Sequence, residues 1–488
     1  MRNYVLVYIN GQRVEIVGAD VFLSLSDLLR RRRHMVGTKI VCEEGDCGAC
    51  TVLIGRPTGK GMRYQCIDSC IYFISQLDCC HIVTVEGLKL NGLLHPAQQA
   101  MVDGHGSQCG FCTPGFVMAM VDVLENQDHL SQQRLRQGLT GNLCRCTGYV
   151  QILEAGMKLG GKHLSRLHEL YPPDSMLKDF ASHQREPIDV EADCAAPGMQ
   201  PKVRRYFKPV DVDSAITFKA EHPQVKLIAG GTDVGVQINK KVIDPNVVMS
   251  LGGIPELRGI STKGDMLVVG AMNTWTEIED DVRDLVPEFH KILMVFAAPQ
   301  IRNVATIAGN IANGSPIADS LPFLYVMNAE VEVQGTTGAR RININEFYKG
   351  YKVLALQPDE LITRVHIPLP GPDETLRLYK VSKRRDLDIS TFTAGILMRR
   401  DGDRIDWVRL AYGGVGPNII RLTKVEQFLA GKSFDEPTMR ESGQIARSEI
   451  TPITDVRAGE MYRYQLAENI LLKFYYECGE PQEMATTA

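Results

Sequence analysis

Eight of the thirteen cysteines fall into two groups: Cys42, Cys47 and Cys50 with a distant fourth, and the pairs Cys109/Cys112 and Cys144/Cys146. The first group reads C-x4-C-x2-C and then a singleton, the plant-type spacing for a [2Fe–2S] centre, which moves electrons singly at low potential. Cys66 and Cys70 both lie where the singleton is needed, and distance alone does not separate them. Four thiolates and bridging sulfides make such a centre anionic. Its loop must turn tightly and aim N–H groups at sulfur, which Gly45 and Gly48 permit. Zinc is the other chemistry open to four thiols, but zinc sites usually repeat C-x2–4-C pairs, unlike a tight triplet with a singleton.

The second group sits in Gln108-Cys109-Gly-Phe-Cys112-Thr-Pro-Gly and Asn142-Leu-Cys144-Arg-Cys146-Thr-Gly, each leading into an apolar-periodic segment. Both read as helix starts. Thr113 is expected to cap, with Pro114 at the first helical position, and Thr147 to cap the segment through Ile152 and Leu153. Thiols at helix N-termini feel the positive dipole end, which favours the thiolate that iron needs. Taken alone these pairs would also suit zinc; beside the first motif, iron–sulfur is the better reading.

At 488 residues the chain exceeds one core and should hold about three or four domains. A net charge of −4 and no sustained basic face argue against nucleic acid as a partner. No apolar run approaches the roughly twenty residues of a membrane span, and the first residues alternate like a strand, unlike a secretion signal. The expectation is a cytoplasmic protein without a membrane partner, in keeping with many thiols of odd number.

Strands at 4–9 and 14–16 flank Asn10-Gly11, a pair that favours a hairpin turn. A helix should start at Ser24, capped with Asp27 three residues on, and end at Gly37. Arg30, Arg31, Arg32 and Arg33 then complement the dipole in its last turn, as a solvated face. From 165 to 200 periodicity is lost and prolines and mixed charge predict a surface linker. Beyond it, a short strand at 225–229 runs into Gly230-Gly231-Thr232-Asp233, a turn where N–H groups could approach a pyrophosphate. The full dinucleotide fingerprint is absent, so taken alone the segment reads better as an ordinary strand-ending turn. A second glycine-broken segment, 300–319, carries small hydroxyl and amide side chains suited to phosphate. Strands at 391–398 and 407–412 and a helix at 466–476 suggest a small α+β domain at the end.

GTKIVCEEGDCGACTV, GSQCGFCTPGFVM and GNLCRCTGY closely resemble, in order, the iron–sulfur motifs of the xanthine dehydrogenase / aldehyde oxidase family of molybdenum hydroxylases. The resemblance implies that Cys70, in Asp68-Ser69-Cys70 before the TVEG segment, is the fourth ligand of the first cluster. Cys66 is then spare, as are Cys79, Cys80, Cys194 and Cys478. The two glycine segments resemble the FAD-binding domain of the same family. That implies flavin contacts at Leu227, Ile228, Ala229, Gly230, Gly231, Thr232, Asp233, Val234, Phe296, Thr306, Gly309, Asn310 and Asp319, and a lysine near the ring system at Lys380. Phe296 could equally be plain core. Residues 383–389 resemble the loop that shapes nicotinamide access in relatives; Leu387 stands where some carry an acid.

The resemblance implies a multidomain α+β fold. Its parts are a ubiquitin-like β-grasp ferredoxin domain (1–88), a helical-bundle [2Fe–2S] domain (89–164), a linker (165–200), an α+β FAD-binding domain (201–374), a small α+β C-terminal domain (375–480) and a tail (481–488). It further implies the iron–sulfur/FAD subunit of a bacterial-type xanthine dehydrogenase. Electrons from hypoxanthine or xanthine, oxidised at molybdopterin on a partner subunit, would pass through the Cys109/112/144/146 cluster, then the Cys42/47/50/70 cluster, to FAD and on to NAD. A heterotetramer, two of each chain, is the expected assembly. No residue here is assigned to the hydroxylation itself. The other readings are the same subunit of an aldehyde or N-heterocycle hydroxylase, and a non-enzymatic iron–sulfur redox sensor.

Overall fold

Asn10-Gly11 turns the antiparallel strands Tyr4–Ile9 and Gln12–Val17 into the expected hairpin. Alternation puts Val5, Val7 and Ile9 on one buried face. In the computed structural model, which describes residues 1–89, 92–126, 129–160, 167–195 and 199–479, this hairpin edges a five-stranded sheet. Its order is Gln12–Val17, Tyr4–Ile9, Cys80–Val83, Thr51–Thr58, Gly61–Asp68. Cys80–Val83 runs parallel to the first strand and antiparallel to Thr51–Thr58, the mixed pattern of a β-grasp.

The helix that covers the sheet begins as expected: the Ser24 hydroxyl accepts from the Asp27 N–H, and Leu25, Leu28 and Leu29 enter the core. It does not run to Gly37. Leu25–Asp27 continues as a wider turn, Leu28–Arg32, and stops at Arg33, with His34 left-handed. Gly37 serves elsewhere: its N–H donates to Glu86 Oε1 at 2.7 Å, and a Cβ there would lie 2.6 Å from Val85 and Glu86. The basic run is partly employed, since Arg30 donates to the carbonyls of Val36 and Thr38, and Arg31 and Arg32 pair with Asp27 and Asp20.

Helices Pro96–Asp103, Thr113–Asn126, Gln132–Gly138 and Val150–Met157 follow. Thr113–Asn126 is buried on nearly every side along its apolar run from Phe116 to Val123, with Asp122 the buried polar exception. Its Phe116, Val117 and Met120 share one core with Leu53, Cys66 and Val83 of the sheet.

The stretch expected as a surface linker is built structure where it is described. It holds helices Leu167–Leu170 and Asp174–His183 and the strand Ile188–Asp193. Met176 and Phe180, one turn apart, are the only buried residues of the second helix, too sparse a stripe to register as periodicity. The strand pairs antiparallel with Val203–Lys208, which lies parallel to Val247–Ser250, itself parallel to Lys226–Ile228. The strand expected at 225–229 is therefore three residues long. Arg2 binds both oxygens of Asp78 at 2.9 and 2.8 Å, and Lys208 joins them. Burial raises the Asp78 carboxyl, but the two cations outweigh it and hold it below its ordinary value. All of this belongs to one compact unit, Met1–Glu256 with Thr274–Thr276 and Ala297–Thr306.

The second unit contains an antiparallel sheet ordered Ile260–Lys263, Met266–Gly270, Leu361–Pro368, Glu330–Gly335, Gly338–Asn343. It also contains the antiparallel sheet Glu374–Val381, Phe392–Asp401, Arg404–Gly413, Ile420–Arg421. Helices Glu436–Glu449 and Glu460–Gly479 share the core of that second sheet. The last helix starts earlier than its apolar pattern, because buried Arg463 interrupts the stripe while binding both oxygens of Asp455 at 2.9 Å. The expected tail, 481–488, lies outside the described residues.

His81 fixes the hairpin from within the core. Its Nε2 accepts the Gly11 N–H at 3.0 Å, its Nδ1 meets the Tyr64 hydroxyl at 2.7 Å, and burial pushes its pKa down to about 4. The folded state therefore takes up fewer protons than the unfolded one between pH 6.5 and 4. Stability contributed above that window is lost as pH falls through it, by about 3 kcal/mol. Urea unfolding across it should show a shallower pH slope for His81→Gln than for the wild type; equal slopes would contradict a neutral buried imidazole.

Candidate metal centres and cofactor site

The first thiol group lies in the loop between the covering helix and the strand Thr51–Thr58. Gly45 and Gly48 both take left-handed φ, 76° and 64°, so successive N–H groups face inward. Glu44 N–H points at Cys42 Sγ, 3.5 Å away. Cys42 also faces the thiols of Cys47 and Cys70, and these contacts hold it far below the ordinary thiol value, whereas Cys47 is pushed up by Cys42. Cys50 faces Cys70 and is likewise lowered. Cys70, which follows the strand Gly61–Asp68, thus meets the loop; Cys66, within that strand, points away. Cys66 Sγ is 3.3 Å from Asp122 Oδ2, and its carbonyl accepts from Asn303. Cys79 and Cys80 are buried in two other clusters, and Cys194 and Cys478 are half-buried apart from either group.

In the second group Cys109 and Cys146 are exposed, with sulfurs 3.6 Å apart, and Cys112 faces Cys144. The Phe111 N–H, then Cys146, lower Cys109. Burial raises Cys144, but hydrogen bonds from Thr147 and the Cys146 N–H outweigh it. Burial and Cys144 push Cys112 up to about 12. The capping differs from expectation. Helix Thr113–Asn126 begins at Thr113 itself, Phe116 N–H bonds the Cys112 carbonyl, and the Thr113 hydroxyl turns to Ser107. Thr147 does not cap Val150–Met157, whose cap is left-handed Tyr149; its hydroxyl donates to Cys144 Sγ at 3.1 Å. Direct donors reach sulfur as well, the Phe111 N–H at Cys109 and Thr147 at Cys144.

Among the described residues no three or more His, Cys, Asp or Glu side chains gather to hold a single metal ion. The thiols of the first group touch in a chain, Cys47 to Cys42 to Cys70 to Cys50, and those of the second meet as Cys109 with Cys146 and Cys112 with Cys144. Two ligands for each of two irons suit that arrangement, and the inward N–H groups suit its negative charge.

The glycine turn begins at Lys226–Ile228 and leads into helix Thr232–Asn239, whose cap is Gly231 at φ 74° with no capping side chain. Its first-turn N–H groups are open to an anion. A Cβ on Gly230 would meet the Val304 carbonyl at 2.2 Å, and one on Gly231 the Gln76 amide at 2.4 Å. Ile228 points into the core, so its backbone alone can face a ligand. Thr306 is buried in this same unit and bridges to Thr274. The other expected contacts belong to the second unit. There Ser320 bonds Asn310 at 2.5 Å, and the neighbouring Asp319 grips Lys380 Nζ at 2.6 Å with one oxygen and Ser390 with the other. Gly309 lies one residue before Asn310 in helix Ile307–Asn313. Phe296 is half-buried at the end of Pro287–Val295.

Several residues at these sites carry no sequence signal of their role. Asp68 Oδ1 lies 3.6 Å from Cys50 Sγ, and Gln76 donates to the Gly230 carbonyl. Gln300 and Asn303, in the second glycine-broken segment, spend their amides on Asn142 and Cys66.

Residues 84–157 match the [2Fe-2S] binding domain family, 200–370 the FAD binding domain in molybdopterin dehydrogenase, and 377–478 the CO dehydrogenase flavoprotein C-terminal domain. Xanthine dehydrogenase of Emericella nidulans is 31% identical over 96% of this chain and 38% of its own length. Aldehyde oxidase 3 of Rattus norvegicus is 28% identical over 97% and 39%. The chain thus spans under two-fifths of the length of such relatives. Among solved structures, a carbon monoxide dehydrogenase from Hydrogenophaga pseudoflava lacking the Mo-pyranopterin moiety is similar at TM-score 0.53, with 25% identity, over 55% of this chain and 94% of that one. Quinoline 2-oxidoreductase from Pseudomonas putida 86 matches at 0.52 with the same identity and coverage.

Two outcomes are expected of this geometry. Cys70→Ser should remove about half of the protein's iron and acid-labile sulfide, leaving the other cluster's EPR signal, while Cys66→Ser keeps both. The reverse result would exchange the two cysteines' roles. Gly231→Leu should lower flavin content several-fold with iron unchanged, because it needs left-handed φ and the space of Gln76; full flavin occupancy would place the cofactor elsewhere.

Proposed function

Because this chain belongs to the molybdenum hydroxylase family and supplies its [2Fe–2S] and FAD-binding part, we propose that it is the electron-transfer subunit of a xanthine dehydrogenase, whose partner chain holds molybdopterin and oxidises hypoxanthine and xanthine. The observation that carries this reading is the gathering of eight thiols into two groups of different exposure, Cys50 and Cys70 buried, Cys109 and Cys146 open to solvent. Cys42, Cys47, Cys50 and Cys70 hold one cluster, and Cys109, Cys112, Cys144 and Cys146 the other. When bound, these clusters carry single electrons, and FAD exchanges them for a hydride given to NAD.

The remaining work belongs to side chains and backbone. The turn Leu227, Ile228, Ala229, Gly230, Gly231, Thr232, Asp233 and Val234 takes the FAD pyrophosphate at its N–H groups. Phe296, Thr306, Gly309, Asn310 and Asp319 are further flavin contacts, and Asp319 holds the Lys380 ammonium in one place for the ring system. Around Cys109 and Cys146 the side chains of Phe111 and Val150 are 48% and 56% exposed, with Leu143 and Tyr149 beside them in the sequence and also exposed. Such an apolar rim suits a protein partner, and a heterotetramer in the cytoplasm is the assembly we propose. We assign the ferredoxin part to 1–88, the helical part to 89–164, the FAD-binding domain to 201–374 and the C-terminal domain to 375–480.

A second reading, the same subunit of an aldehyde or N-heterocycle hydroxylase, is favoured by the likeness to aldehyde oxidase 3 and quinoline 2-oxidoreductase. An oxidant sensor finds less support, since Cys66, Cys79 and Cys80 are buried and burial pushes each thiol up, away from the reactive thiolate. The purified complex should be bleached anaerobically by xanthine and then yield NADH when NAD is added. Bleaching by an aldehyde or a quinoline alone would move the assignment to the second reading, and reduction without NADH would remove NAD as acceptor.

A further inference from the structure

The two thiol-bearing loops touch through backbone. The Cys47 carbonyl accepts the Leu143 N–H at 3.0 Å, and Leu143 is one peptide bond from Cys144. Contact this close needs bare backbone on both sides. A Cβ on Gly48 would lie 2.4 Å from the Gly141 carbonyl and 2.5 Å from Asn142 Nδ2; one on Gly115 would lie 2.1 Å from the Gly48 carbonyl.

Polar side chains lock the junction. Asn142, 3% exposed, donates to the Gly48 carbonyl at 2.9 Å and to Thr51 Oγ1 at 3.3 Å, and accepts from Gln300 Nε2 at 2.9 Å. Gln300, 0% exposed, also reaches Thr51 Oγ1 at 3.3 Å, and the Thr51 hydroxyl returns to the Gly48 carbonyl at 2.6 Å. Burying three polar side chains where apolar ones could pack is costly unless they fix something that packing would leave loose. What they fix is the register of one ligand loop against the other.

We propose that Asn142, held by Gln300, is a positioning residue that sets the electronic coupling between the two thiol-held centres, through the Leu143 N–H to Cys47 carbonyl hydrogen bond. This rests on the reading above that both groups hold [2Fe–2S] clusters. The event it controls is the passage of one electron from the centre at Cys109/112/144/146 to that at Cys42/47/50/70, with no bond made or broken. The electron originates in the substrate oxidised on the partner and ends on the flavin.

The test uses the purified protein with its partner, reduced with dithionite for EPR and by a flash-generated flavin radical for kinetics. The wild type should show two cluster signals broadened by mutual spin coupling. Asn142→Ala and the near-isosteric Asn142→Asp, which loses the donor, should keep both signals' positions and the iron content. They should weaken the coupling and slow inter-cluster transfer by about tenfold or more, as small misplacements do. Gln300→Met, which alters no residue of either ligand loop and acts only through Asn142 and Thr51, should shift coupling in the same direction. Unchanged coupling and rate in Asn142→Ala and Gln300→Met overturn the proposal. Should Asn142→Ala fail to load its second cluster, Gln300→Met alone decides, retained coupling overturning it. A wild type with two uncoupled signals overturns the proposal while sparing the reading beneath it; a wild type lacking one signal overturns both.

Discussion

Helix Thr113–Asn126 is the contact on which both thiol groups depend. At its N-terminus it carries the turn with Cys109 and Cys112, and its flank packs on the strands Thr51–Thr58 and Gly61–Asp68, which adjoin Cys50 and Cys70. Burial of Phe116, Val117, Met118, Ala119, Met120 and Val121 is worth roughly 1.5–3 kcal/mol for each large side chain. That hydrophobic contact brings the two cysteine-bearing loops close together. Hydrogen bonds from Leu143, Asn142, Gln300 and Thr51 then fix the register of the loops that this packing has brought together.

Fixed charges are handled differently in the two units. In the first, Asp78 is buried with two cations, Arg2 and Lys208, tying the N-terminal strand to Val203–Lys208. In the second, Asp319 and Lys380 are a buried one-to-one pair with Ser390 on the spare oxygen. Buried pairs of this kind add little net stability but penalise loss of one partner by several kcal/mol, so they specify geometry more than they strengthen the fold. At Lys380 the carboxylate of Asp319, itself held by Ser390, fixes where the side chain ends.

What could be read from the chain beforehand was chiefly what covalent spacing dictates. Cysteine intervals, the Asn10-Gly11 turn and the Ser24 cap are local rules acting over a few residues, and they appear as the sequence announces them. What eluded reading depends on partners distant in sequence. Phe180 packs with Tyr8 across the ferredoxin sheet, so the segment 174–183 looks like linker until its partner is seen. Gly37 looks like a helix stop but yields room to Glu86, and Gln300, within a flavin-like motif, spends its amide on Asn142. Thr113 and Thr147 were in the right place for caps, yet their hydroxyls found Ser107 and a sulfur instead. The family resemblance singled out Cys70, a choice that spacing left open; strand alternation, which turns Cys66 toward Asp122, is the physical ground for the difference.

The three side-chain-free positions at the loop junction, Gly48, Gly115 and Gly141, also govern how such a chain can diverge. Glu43 and Glu44 on the outer rim of the first loop are exposed, so their side chains have room to change, although Glu43 holds left-handed φ and Glu44 pairs with Lys240. At the junction the smallest possible step, a single methyl, already lands inside a neighbour's atomic radius. Variation is therefore channelled outward, toward the solvent-facing rim, while the seam between the loops stays frozen.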